Sequence, residues 1–389
     1  MKLSMAAPDI TGEEIDAVVS VLRTPVLSIG PRLQEFEAAT AAYVGTRFAA
    51  GVSSGTAGLH LCMIAASVGA GDFVVTTPFS FVASANCALY QGATPLFADI
   101  DSGTFNLDPE CVEAVVRRVR QGSSGRRLKA ILPVHVFGQP ADMDAICDIA
   151  RRYDLRVIED ACEAIGAEYR GRRVGAIGDA GVFAFYPNKQ MTTGEGGMIT
   201  TRWHDWQALF ESLRNQGRDV FDAWLTHSRL GYNYRLDELR SAMGLVQLGR
   251  LDALLAGRAR VAGWYTTRLR DVPGVRIPVI AASTTRMSWF VYVVRLDPDI
   301  DRDAVIRELA RRGIPSRPYF WPIHLQPFYR QRFGFAPGTF PESEAAGRSC
   351  LAVPFSGHLT ESQVDEVCGV LAEALADRAA TRTRTAATA

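Results

Sequence analysis

An excess of charge of either sign is missing from this chain of 389 residues: 42 lysines and arginines balance 42 aspartates and glutamates. There is no net basic field to gather phosphate backbones, so nucleic acid is not the expected partner. No uninterrupted apolar run approaches the ~20 residues a membrane span needs, and no basic-then-apolar signal pattern opens the N-terminus. Cysteine is sparse. The seven, at positions 62, 87, 111, 147, 162, 350 and 368, are odd in number and contain no Cys-x-x-Cys pair. They read as reduced, mostly buried thiols of a cytoplasmic protein. The histidines show no metal-ligand spacing, so no metal is expected. No internal repeat is visible.

What is present describes a soluble globular protein, 48% hydrophobic and 22% charged. Its length exceeds what one compact core normally uses, so two domains are expected. Thr11-Gly-Glu-Glu14 reads as a capping box opening a helix with Ile15, Val18, Val19 and Leu22 as its apolar face. A second helix after Ser28-Ile-Gly-Pro31 carries Leu33, Phe36 and Ala39. Short apolar runs then alternate with helical stretches. Strands are expected at Phe48–Val52, Phe73–Thr77, Thr94–Ala98, Lys129–Val134, Arg156–Glu159, Gly181–Phe185 and Gly197–Thr201. Strands apolar on both faces and interleaved with helices imply a mainly parallel sheet covered on both sides. That gives an α/β fold with a large domain over residues 1–250 and a smaller C-terminal α/β domain over 251–376. One long helical region, from Leu236 to about Leu269, would join them. Residues 377–389, ending in a Thr/Arg/Ala repeat, read as a disordered tail.

The residues that carry chemistry sit at the ends of these strands. Asp160 closes the run Leu155-Arg-Val-Ile-Glu-Asp160, and Lys189 lies in Phe183-Ala-Phe-Tyr-Pro-Asn-Lys-Gln-Met-Thr-Thr-Gly-Glu-Gly-Gly197. In open parallel sheets ligands bind beyond the carboxyl ends of the strands, where both would stand. An amine facing an acid across such a mouth suits pyridoxal phosphate. The lysine holds the aldehyde as a Schiff base, and the acid keeps the ring nitrogen protonated. A surface lysine in a Gly-rich turn is the bland alternative. Ser53-Ser-Gly-Thr56 stands between a strand and a helix, where glycine and the first helical amides suit an anion such as the cofactor phosphate. An ordinary helix cap has the same sequence. Phe79-Ser-Phe81 closes another strand; its aromatics are stacking platforms or core. His135, near a strand end, reads as structural.

Taken together, the chain from about Ile10 to Leu371 resembles the DegT/DnrJ/EryC1/StrS family of pyridoxal-phosphate-dependent sugar aminotransferases. The resemblance is carried by Leu27-Ser-Ile-Gly-Pro31, Ser54-Gly-Thr56, Val134-His-Val-Phe-Gly138, Glu159-Asp-Ala161, Gly194-Glu-Gly-Gly197 and Gly231-Tyr-Asn-Tyr-Arg-Leu-Asp-Glu238. It implies the fold-type I aminotransferase architecture, with Lys189 forming the Schiff base and Asp160 paired with the ring nitrogen. Gly55 and Thr56 would hold the phosphate, and Phe81 would stack on the ring. Asn233 would reach the phosphate from the partner subunit of a homodimer with shared active sites. Glu163 stands where many relatives have glutamine or histidine beside the ring hydroxyl. Ala184 stands where many have a phosphate-binding serine, a contact that Ser80 is expected to supply.

Free lysine, with a pKa of ~10.4, is a poor base near neutrality, and conjugation to the cofactor removes that obstacle. The resemblance implies L-glutamate as amino donor and a nucleotide-linked keto-6-deoxy sugar as acceptor, with Glu163 pointing to C4 over C3. Ser28, Arg317 and His324 are the candidate substrate contacts. The last two lie in Ser316-Arg-Pro-Tyr-Phe-Trp-Pro-Ile-His324, and structural roles are the alternative for both. A keto-inositol (cyclitol) acceptor is a second reading. A sugar dehydrase with histidine at the lysine position is disfavoured by Lys189, and a non-catalytic sensor by Lys189 and Asp160 together.

Overall fold

The computed structural model describes residues 3–122, 127–219 and 226–387, with side chains as far as 377. Nine strands belong to the described residues of the first two-thirds of the chain. They are β1 (Phe48–Val52), β2 (Phe73–Thr76), β3 (Thr94–Phe97), β4 (Leu128–Leu132), β5 (Arg156–Asp160), β6 (Glu168–Tyr169), β7 (Arg172–Arg173), β8 (Ala180–Ala184) and β9 (Gly197–Thr201). Seven of them form one sheet in the order β1-β9-β8-β5-β4-β2-β3. All pairings among β8, β5, β4, β2 and β3 are parallel; β9 alone runs against its neighbours, β8 and β1. The strand ranges expected from apolar runs agree with this sheet to within one or two residues.

The helices of this part are α1 (Gly12–Leu22), α2 (Pro31–Val44), α3 (Gly55–Ala65), α4 (Ala83–Tyr90), α5 (Pro109–Gln121), α6 (Met143–Tyr153) and α7 (His204–Arg214). One apolar cluster joins α3, α4 and α7 to the sheet (Leu61, Met63, Val74, Ile158, Phe210). Another, from α5 and α6, closes on it through Val112, Val116, Ile146 and Ile149. With both faces covered, the strands read as continuous apolar runs.

Two expectations about helices are corrected. The capping box at Thr11 forms, with Glu14 accepting from the Thr11 amide at 2.7 Å, but α1 does not bury the stripe predicted for it. Ile15 is 58% exposed and Leu22 57%, whereas Glu14 and Val21 face inward. Glu14 turns in because Gln247 and Arg250 meet its carboxylate at 2.7 and 3.1 Å. The region from Leu236 to Leu269 is two helices, α8 (Glu238–Gly249) and α9 (Leu251–Leu269), separated at Arg250. Arg250 breaks the run without proline, its side chain tied to Asp9 and Glu14.

Beyond α9 a four-stranded sheet forms in the order β10-β12-β14-β13, from β10 (Val275–Arg276), β12 (Tyr292–Leu296), β13 (Arg317–Pro318) and β14 (Cys350–Val353). β11 (Thr284–Arg286) pairs instead with β6. The small sheet packs on α9, α10 (Arg302–Arg311) and α13 (Glu361–Ala387) through Val261, Tyr265, Val305, Leu309, Val364 and Leu371. α11 (Pro327–Phe333) and α12 (Pro341–Ser349) lie between β13 and β14. α13 runs past Ala376, into the stretch composition marks as disordered; alanine and arginine there favour helix. Residues 388–389 of that stretch lie outside the described residues. No helix among the described residues is long and apolar enough to cross a membrane.

Candidate active site

A cleft of about 440 Å³ opens at the carboxyl edge of the parallel strands. The loops after β1, β2, β5 and β8 wall it, joined by Phe290, Tyr319 and Phe320 from beyond α9. Asp160 ends β5, fixed at both backbone ends: its amide donates to Pro133 O at 2.9 Å and its carbonyl accepts the His135 amide at 3.0 Å. The carboxylate is nearly buried. Oδ2 accepts the Ser84 hydroxyl at 2.6 Å and Oδ1 the Cys162 amide at 3.2 Å. Ser80 in turn lies 2.9 Å from Ser84 Oγ. Because side chains alternate along a strand, the preceding Glu159 points the other way. It accepts the amides of Gly175, Ile177 and Gly178 at 2.7 to 2.8 Å and pairs with His135 Nε2 at 3.0 Å. Burial alone would raise the Glu159 pKa, but the His135 and amide bonds outweigh it and hold the carboxyl below its usual range. His135 is thus a buried structural partner, its Nδ1 taking the Ala141 amide.

Lys189 follows β8 in a turn closed by its own amide on Tyr186 O at 2.9 Å. Its Nζ stands 4.0 Å from the centroid of the Phe290 ring and 3.8 Å from Glu163 Oε1. An aromatic face attracts such a cation. Glu163 is buried and its Oε2 accepts the Phe137 amide at 2.9 Å. Burial raises its pKa above the usual value, and the Lys189 charge offsets only part of that rise.

The opposite wall suits an anion. Ser54 caps α3, its extended backbone placing Oγ 3.1 Å from the Ala57 amide. The first helical amides, at Gly55 and Thr56, lack intrahelical acceptors and carry the positive end of the helix dipole. Glycine is required at 55: a Cβ there would stand 2.7 Å from Cys162 Sγ and 2.8 Å from Ala184 Cβ. These residues fit pyridoxal phosphate. An amine and a nearly buried carboxylate share one cleft with a helix N-terminus, and the buried Asn188 Oδ1 lining it has no hydrogen-bond partner among the described residues. No group of three or more potential metal ligands occurs among those residues.

The cleft therefore gathers Lys189, Asp160, Gly55, Thr56, Ser80, Phe81 and Glu163. Phe81 is 62% exposed at its mouth, an open face rather than core. Four expected residues lie elsewhere. Asn233 is exposed and bridges to Asn215; Ser28 is exposed and bridges to Asp237. Arg317, at the edge of the small sheet, is exposed and donates to Ser316 O. His324 is a correction: it is fully buried, with Nε2 3.1 Å from Glu344 and its ring edge-on to Phe340. A side chain so enclosed holds the α11–α12 region together instead of meeting substrate. Ser84, Phe290, Tyr319 and Phe320 were not singled out from sequence. Ser84 follows Ser80 by one helical turn, and Tyr319 and Phe320 lie between Arg317 and His324 in the Ser316–His324 stretch.

Comparison with known proteins agrees with this geometry. The DegT/DnrJ/EryC1/StrS aminotransferase family matches residues 8–372. The chain is similar to the GDP-perosamine synthase of Caulobacter vibrioides, 41% identical over 377 residues, covering 96% of this chain and 98% of that protein. It is similar in structure to Helicobacter pylori PseC, an aminotransferase involved in the biosynthesis of pseudoaminic acid. The TM-score is 0.89 at 26% identity, covering 96% of this chain and 99% of that one. A Streptococcus pneumoniae protein solved in its PLP-form gives a TM-score of 0.88 at 25% identity, covering 96% and 98%.

Proposed function

The chain belongs to the DegT/DnrJ/EryC1/StrS aminotransferase family and is a pyridoxal-phosphate-dependent aminotransferase of fold type I; from that premise we propose that it moves an amino group from L-glutamate to C4 of a nucleotide-linked keto-6-deoxy sugar. The meeting of Lys189 and Asp160 in one cleft carries the reading of the chemistry. Similarity to a GDP-perosamine synthase, together with Glu163, supports the sugar class and the carbon.

Bound pyridoxal phosphate supplies an electron sink for charge leaving a substrate carbon. Asp160, its carboxylate fixed by Ser84 and the Cys162 amide, would keep a proton on the ring nitrogen through a charge-assisted hydrogen bond. Gly55, Thr56 and Ser80 would hold the phosphate against the start of α3. Lys189 Nζ would take the proton from the donor's α-carbon and hold it on that face for delivery to the cofactor, which is left carrying the amino group. In the second half-reaction it serves the keto sugar in the reverse sense. Tyr186, Tyr319 and Phe320 line the mouth and offer aromatic surface to an acceptor. The protein acts in the cytoplasm as a homodimer in which Asn233 of one subunit completes the phosphate site of the other.

The test is a panel of nucleotide-linked keto sugars incubated with enzyme and L-glutamate, with products read by NMR. The expected result is 2-oxoglutarate formed together with a 4-amino sugar. Amination at C3, or of keto-inositols alone, would overturn the substrate assignment while leaving the transaminase chemistry intact.

A further inference from the structure

α9 starts against one core and ends in another. Leu251, Leu254 and Leu255 pack with the cluster that contains Phe185 and Met191, beside the Lys189 turn. Val261, Ala262, Tyr265 and Leu269 belong to the core of the small domain. Arg258 stands at the changeover, 4% exposed. Among the described residues no carboxylate pairs with it, and burial alone draws its pKa down to about 10, so the guanidinium remains charged near neutrality. It donates instead to three backbone carbonyls: Nη2 to Lys189 O at 2.8 Å, and Nη1 to Phe290 O at 3.1 Å and Trp289 O at 3.3 Å. Phe290 is the residue on whose ring the Lys189 amine rests, 4.0 Å from Nζ to centroid.

A buried cation without an acid partner carries a desolvation cost that a neutral link between the same loops would avoid. What the guanidinium adds is a planar fork of strong, charge-assisted donors reaching both segments at once. We infer that Arg258 is a positioning residue for the catalytic amine: it locks the backbone of Lys189 and that of Phe290 into one unit and so sets where Nζ stands in the cleft. The inference rests on the reading of Lys189 as the residue linked to pyridoxal phosphate. It goes beyond that reading by giving a remote residue of α9 control over the amine and tying that control to the joint between the domains.

Two variants test it. Arg258→Lys keeps the charge but loses the fork, and Arg258→Met keeps most of the bulk and removes every donor. In Arg258→Lys holoenzyme, the absorbance–pH midpoint of the lysine–cofactor linkage should move by about half a unit or more, because that midpoint reports the surroundings of Nζ. kcat should fall about tenfold while KM for glutamate changes less than about threefold, the pattern of a lost positioning interaction. In the apoprotein, hydrogen exchange over residues 188–192 should speed up in both variants. An Arg258→Lys protein with the wild-type midpoint and wild-type kcat, altered only in thermal stability, would reduce Arg258 to a structural brace. If Arg258→Met does not fold, Arg258→Lys alone decides. Wild-type protein that binds the cofactor without any lysine-linked absorbance would instead sink the reading of Lys189, and the inference would fall with it.

Discussion

Glu163 is pulled in two directions, by burial upward and by the Lys189 ammonium downward, and burial wins. Its carboxyl in the folded protein therefore titrates above the 4.5 it would have in an unfolded chain. Between those two values the native state holds a proton that the unfolded state has released, so apoprotein stability falls as pH rises through the window. Above the folded value the fall stops. Glu163→Gln cannot titrate and removes this component. Urea denaturation of the two apoproteins from pH 4.5 upward should show the variant gaining on wild type as pH rises; a constant difference would refute the raised pKa. The placing of Lys189 and Asp160 at one cleft was legible from sequence because Asp160 closes a short apolar run at a strand end and Lys189 follows another expected strand, where a ligand site is expected. Ser84 was not, since nothing local marks a serine inside a helix as the partner of a carboxylate 76 positions away. Lys189 meets Phe290 by the same long-range logic, across 101 positions of chain.

Helix ends show the same limit one level up. α2 begins with Gly30 and Pro31 and has no side-chain cap of its own. Its N-terminus is capped by Glu238, in the first turn of α8. Oε1 accepts the amides of Gly30 and Leu33 at 2.9 and 3.0 Å, and Oε2 that of Arg32 at 2.9 Å. Glycine is needed at 30, since a Cβ there would come within 2.7 Å of the Glu238 carboxylate. The sequence offered Gly-Pro as a helix start and Glu238 as the end of a motif, but not their union. Strands were easier to place, because a buried parallel strand announces itself by composition alone. Helix faces were harder: the periodicity of α1 was right but its buried face is turned aside from the expected one, because Glu14 has partners further along the chain. Glu238→Ala should destabilise the protein by about 2–3 kcal/mol, the scale for losing charge-assisted bonds to three amides at a buried helix start. Glu238→Gln should cost less. Chemical denaturation measures both, and an unchanged midpoint for Glu238→Ala would show that α2 does not depend on this cap.

At the scale of the whole molecule, two of the four expected residues that lie outside the cleft of one chain, Ser28 and Asn233, stand exposed on one side of it through their neighbours in the chain. Leu27 O accepts the Glu238 amide and Ser28 bridges to Asp237, a few positions past the exposed Asn233. Ile15, Val19, Leu22, Val26 and Leu27 add an apolar, solvent-facing run along α1 and the segment after it. An exposed apolar run of this kind is what a subunit contact would cover. An isologous pair would give each cleft what the other chain offers. Subunit mixing tests this directly. Lys189→Ala alone should be inactive, and Asn233→Ala alone should bind the cofactor weakly and turn over slowly. Coexpressed with different tags, the two would form mixed dimers in which one cleft has its own Lys189 and receives Asn233 from the Lys189→Ala chain. Half the dimers would be mixed and half their clefts complete, so activity should recover to about one quarter of wild type. Recovery no greater than the sum of the separate variants would place Asn233 outside the partner's site, and each chain would then have to complete its phosphate site from its own residues.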